Sequence, residues 1–99
     1  MLRLKFRVLD VAKTFTKSEI ELFVINKAKA LREEANMSQS ELAFRLGLSN
    51  GFIGQIESSR SPSKYNMNHV DKMARLFNCS PKDFFPESSI NKGSEEPLF

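Results

Sequence analysis

The apolar positions of this chain change period along its length, and each change marks a different kind of element. From the start they alternate: Leu2, Leu4, Phe6 and Val8 on one side, Arg3, Lys5 and Arg7 on the other. That twofold period predicts a half-buried strand. A lone strand leaves its backbone donors and acceptors unpaired, so this arm either frays or finds cover from the domain or from another chain. Further on, Ile20, Phe23, Val24, Ala28 and Leu31 follow the helical period and predict a long amphipathic helix reaching about Ala35. Thr16 with Glu19 offers its capping box, and Asn36 suits a left-handed end.

Residues 38–57 carry the densest local signals. Ser38 with Glu41 predicts a second capping box, Met37 and Leu42 a hydrophobic staple, and Leu42, Ala43 and Leu46 an inward face. Gly47 stands where a left-handed stop is required. Leu48 and Ser49 repeat the staple-and-cap arrangement, and Ile53 and Ile56 aim the next helix at the same core. Two short helices so closely joined predict a helix-turn-helix, with Asn50, Gly51 and Gln55 facing outward. A polar loop, Ser58 to Lys64, follows. Asn66 is placed to cap a fourth helix whose Val70, Met73, Ala74, Leu76 and Phe77 face inward. Ser80, Pro81 and Asp83 predict a short fifth helix that carries Phe84 and Phe85 and stops at Pro86. The composition from Glu87 predicts a flexible tail. The organisation expected is an arm over 1–16, a domain over 17–86 and a tail over 87–99.

Ninety-nine residues suit one small domain. Hydrophobic residues make up 40% and charged residues 27%, ordinary values for a soluble protein. The net charge of +3 is unevenly spread. Arg3, Lys5, Arg7, Lys13 and Lys17 oppose only Asp10, while the span 19–85 is almost balanced and the tail is acidic. A near-neutral domain is a weak electrostatic footprint for nucleic acid, and the basic arm strengthens it modestly. The sequence holds no membrane-length apolar run and no recognisable signal peptide, and its single cysteine, Cys79, suits a reducing cytoplasm. Cys79 reads as a small core residue and His69 as a surface residue. Together they make no metal constellation, and neither a metal nor a cofactor is expected. With one histidine and no nucleophile elbow, phosphate-binding glycine loop or carboxylate pair, no enzymatic activity is expected.

From about Phe23 to Phe85 the chain resembles the lambda-repressor-like, Cro-type (XRE) helix-turn-helix family. The resemblance is carried by M-S-Q-S-E-L-A-F-R-L-G-L-S-N-G-F-I-G-Q-I-E and by H-V-D-K-M-A-R-L-F-N-C-S-P-K-D-F-F. It implies an all-α, five-helix domain behind the extended arm. It also implies a cytoplasmic transcriptional regulator, most simply a repressor, that binds double-stranded DNA as a homodimer. By resemblance the helix after Ser49 lies in the major groove, with Asn50, Gly51 and Gln55 toward the bases and Gln39 on a phosphate. Arg32 and Glu57 match the family's internal salt bridge. The chemistry is compatible: Asn and Gln amides pair bidentately with adenine, and a helix start suits a phosphate. Ser49, Arg60, Ser61 and Lys64 are placed for contacts to the DNA backbone, and Phe52 either touches DNA or tucks inward. Ser58-Ser59 departs from the glycine-containing turn usual in the family. An alternative reading is an antitoxin-like or adaptor module that holds a protein partner, such as a toxin, through the arm.

Overall fold

The computed structural model describes residues 17–90. Four α-helices and one 3-10 turn build it: α1 (Glu19–Glu34), α2 (Gln39–Leu46), α3 (Phe52–Glu57), α4 (Met67–Leu76) and the turn Pro81–Phe84. No strand occurs among the described residues. The expected arm, Thr16 and the end of the expected tail lie outside them.

Every helical element except α3 begins where its sequence supplies a side-chain acceptor for a free N–H group. For α1 this is Ser18, two residues later than expected. Its Oγ accepts the Glu21 N–H at 3.2 Å while the Glu21 carboxylate accepts the Ser18 N–H at 2.8 Å. The S-x-x-E spacing recurs here in a second frame, with Glu19 now in the first turn, where the helix dipole favours it. At α2 only half of the expected box forms. Ser38 Oγ accepts the Glu41 N–H at 3.0 Å, but the Glu41 carboxylate turns to Arg45 at 2.8 Å, one helical turn on. Asn66 caps α4, and Ser80 with Asp83 caps the last turn, where Pro81 stands first. That segment is a 3-10 turn and not a fifth α-helix, because its four residues, Pro81–Phe84, give almost no room for α-type bonds.

The core joins Val24, Ile25 and Ala28 of α1, Leu42, Ala43 and Leu46 of α2, Ile53 and Ile56 of α3, Val70, Met73 and Ala74 of α4, and Phe84. The inward stripe of α1 therefore differs from the expected one. Ile25 replaces Phe23, and the stripe ends on Arg32. Ile20, Leu22 and Phe23 are about 40% exposed, and Leu31 is half-buried. The helical pattern permitted either face, and the position of the Arg32 ion pair selects the one seen. Leu76, Phe77, Cys79 and Phe85 are half-buried against this core, as are Met37 and Leu48.

Candidate nucleic-acid interface

The turn between α2 and α3 is fixed from within. Gly47 adopts φ 74°, a conformation that costs a residue bearing a Cβ about 1–2 kcal/mol. With it the Leu48 N–H reaches Ala43 O at 2.8 Å and the Gly47 N–H reaches Phe44 O at 3.1 Å, closing the α2 carboxyl end. Lys72 of α4 donates to Leu46 O at 3.2 Å, adding a cation at that end. The start of α3 is different. Ser49 was expected to cap it, yet Gly51 occupies the capping position at φ 96° and no side chain caps the helix. Ser49 contributes only its carbonyl, which accepts the Phe52 N–H at 3.1 Å. Asn50 and Gly51 thus lie in the turn and not on the helix.

Behind α3 sits a buried ion pair. Arg32 Nε and a terminal guanidinium nitrogen donate to the two Glu57 carboxylate oxygens, both at 3.0 Å. These side chains are 10% and 5% exposed. The other guanidinium nitrogen donates to Met37 O at 2.8 Å, tying in the α1–α2 link. Such a fork holds α3 against α1 at two points. Gln39 Nε2 donates to the same carboxylate at 2.9 Å, so α2 joins the network. The Tyr65 hydroxyl is buried with no hydrogen-bond partner among the described residues. Burial first, and the Glu57 charge second, push its phenol above the usual range, while Arg32 partly opposes them.

The remaining expected contact residues lie around this frame. Asn50 and Gln55 are exposed. Ser40 Oγ donates to Asn50 Oδ1 at 2.8 Å, and Ser63 Oγ donates to Gln55 Oε1 at 3.3 Å. Each amide is thereby oriented, yet its N–H groups and a second lone pair stay open. A Cβ at Gly51 would meet nothing within 4 Å, so its surroundings are open. Arg60 is exposed, and its N–H donates to Ser58 Oγ at 3.1 Å. Ser61 is half-buried, with its Oγ accepting the Ser63 N–H at 3.2 Å. Lys64 pairs with Glu21 of α1 at 2.9 Å. Phe52 tucks inward against the core, its ring edge-on to His69 with centroids 6.1 Å apart. His69 is half-buried and not the surface residue expected.

Three contributors had no role in the sequence reading. Lys17 Nζ donates to Ile56 O at 2.7 Å and also to Ser58 O, placing a cation on the carboxyl end of α3. Partial burial lowers its pKa, partly offset by Glu21. Ser40 orients Asn50. At Gly54, an added Cβ would come 3.2 Å from Gln39 Oε1, so α2 and α3 approach closely there because the position is bare. The glycine was a readable signal, since an interior helical glycine often marks close approach. Lys17 and Ser40 act across turns of the fold and left no local pattern.

Two short helices meeting through a glycine turn, with oriented amides on the open side, define a helix-turn-helix domain. The Helix-turn-helix family profile matches residues 29–84. The chain belongs to this family, whose lambda-repressor-like, XRE-type members are DNA-binding regulators. No curated protein and no solved structure matched it. No helix of the described residues is long and apolar enough to cross a membrane.

Proposed function

We propose that this protein is a transcriptional repressor that reads a specific DNA sequence through the turn before α3 and the first turns of that helix. The observation that carries the reading is the joint exposure of Asn50 and Gln55, each amide oxygen accepting a hydrogen bond from a neighbouring hydroxyl. Both have donors and an acceptor left for an adenine edge. Gly51 lets the backbone come close to the base pairs. Gln39, at the start of α2, brings free helix N–H groups to a phosphate. Ser49, Arg60, Ser61 and Lys64 flank the same surface and suit backbone contacts that set register. Phe52 seats the turn from the inside. Arg32 and Glu57 hold the whole against α1.

The active form is a homodimer. Among the described residues Ile20, Leu22 and Phe23 of α1, Phe44 of α2 and Met67 of α4 are large apolar side chains left exposed, and Ile20 and Met67 line one surface depression, which suits an interface between copies. Two reading helices spaced about 34 Å apart would then meet successive major grooves.

Selection of bound duplexes from a random-sequence pool by the full chain tests this reading. The expected product is an enriched, inverted-repeat sequence with half-sites about 10 base pairs apart. A pool that shows no enrichment, from a chain that shifts no duplex in a mobility assay, would overturn it.

A further inference from the structure

His69 joins two elements that the reading surface depends on. It stands in the first turn of α4, where its Nδ1 accepts the Asn66 N–H at 3.0 Å while Asn66 Oδ1 accepts the His69 N–H at 2.8 Å. The same ring lies edge-on to Phe52, the first residue of α3, and to Tyr65, with centroids 6.1 and 6.0 Å away. Because α3 has no side-chain cap, its start rests on the Ser49 carbonyl, which accepts the Phe52 N–H, and on the inward packing of the Phe52 ring. The imidazole is part of the surface that Phe52 packs on.

The cap works only with a lone pair on Nδ1. The neutral ring carrying its proton on Nε2 satisfies it. Protonation would set one N–H donor against another and put a positive charge at the amino end of a helix, where the dipole opposes it. The ring would have to leave the cap and withdraw from Phe52. Three elements face it: its own helix presents the Lys72 ammonium, the preceding loop the Tyr65 phenol, and α3 the uncharged Phe52 ring.

We propose that His69 is a positioning residue for the DNA-reading turn, holding it through Phe52 while the ring is neutral and releasing it when the ring is protonated. DNA affinity then carries a histidine-dependent loss in acid. Burial first and Lys72 second hold the imidazole pKa below its usual value, so the device is set in its holding state at neutral pH. This inference rests on the DNA-reading proposal above.

Two measurements on the full chain separate the two ideas. Without DNA, an NMR titration follows the only histidine ring of the chain alongside the backbone amides of Gly51 and Phe52. Those amides should shift with the midpoint of the ring, and amides that stay still through its titration would overturn the coupling whatever the chain binds. With DNA, fluorescence anisotropy measures affinity for a duplex recovered from the random pool, at pH 7.5 and 5.5 and constant salt. His69→Gln keeps an acceptor for Asn66 but does not titrate. The wild type should weaken about fivefold more than His69→Gln on acidification, the scale of one lost capping bond. Equal responses would contradict the proposal. So would a wild type that gains affinity over the variant, which would mean that the ring merely adds positive charge. If the amides follow the ring yet no duplex is bound at pH 7.5, the DNA reading fails, and this proposal with it.

Discussion

Glu57 is the residue on which the most structure converges. It accepts two bonds from Arg32 and one from Gln39, from a nearly buried position. Glu57→Ala would leave the Arg32 guanidinium buried without its counter-ion and should cost about 3–5 kcal/mol, read from urea denaturation. Replacing both Arg32 and Glu57 by apolar residues of similar size should recover much of that loss, because no lone charge remains. Gly54 offers a separation of stability from binding. Gly54→Ala removes an interior helical glycine and should raise stability by up to about 1 kcal/mol. The new methyl would displace the Gln39 side chain, so DNA affinity should fall while the melting temperature holds or rises. His69 gives the acid response of stability a sign. Its folded pKa is depressed below the usual 6.5, so at lower pH the unfolded chain binds the proton more readily. Stability from this group is therefore present above about pH 6.5 and is lost as pH falls through the folded value. Denaturation midpoints measured between pH 7.5 and 5 should drop for the wild type and drop less for His69→Gln.

At the scale of elements, the second and third helices depend on their ends. Gly47→Ala forces a Cβ into φ 74° and should destabilise the domain by about 1–2 kcal/mol in thermal melts. Lys17→Gln removes the cation from the α3 carboxyl end and should speed amide exchange in α3 more than in α4. What could be read from sequence here was what is local. Asn36, Gly47, Asn66 and Ser80 act within a few residues of themselves, so their roles as stops and caps follow from spacing and backbone preference alone. Residues acting at a distance were not legible from local pattern, and the Arg32–Glu57 pair was expected only through the family resemblance. Glu41 could bond back to Ser38 or forward to Arg45, and only the fold shows the second. Thr16–Glu19 and Ser18–Glu21 offer the same spacing, and Ile25 or Phe23 could complete the α1 stripe. Packing around Arg32 decides that stripe. The exposed amides of Asn50 and Gln55 were legible from position. Their support by Ser40 and Ser63 was not, because those hydroxyls come from a neighbouring helix and loop.

For the molecule as a whole, charge and surface point to different tasks. The span 19–85 carries a net charge of only +1, so this span by itself attracts DNA weakly, and on the proposed reading specificity comes from the exposed amides and from pairing of two copies. The proposed pairing would draw its apolar area from exposed Ile20, Phe23 and Met67, and an acidic substitution at Ile20 should shift sedimentation toward a single copy and reduce affinity for an inverted repeat. The central claim is that oriented amides before and on α3 read bases, and Gln55→Ala tests it most directly. Affinities of wild type and variant are compared on the selected duplex and on each of its single-base-pair substitutions. The variant should lose about 1–3 kcal/mol on the selected duplex and lose its preference at one base pair of each half-site. A loss of equal size on every duplex, with all preferences kept, would contradict base reading by Gln55.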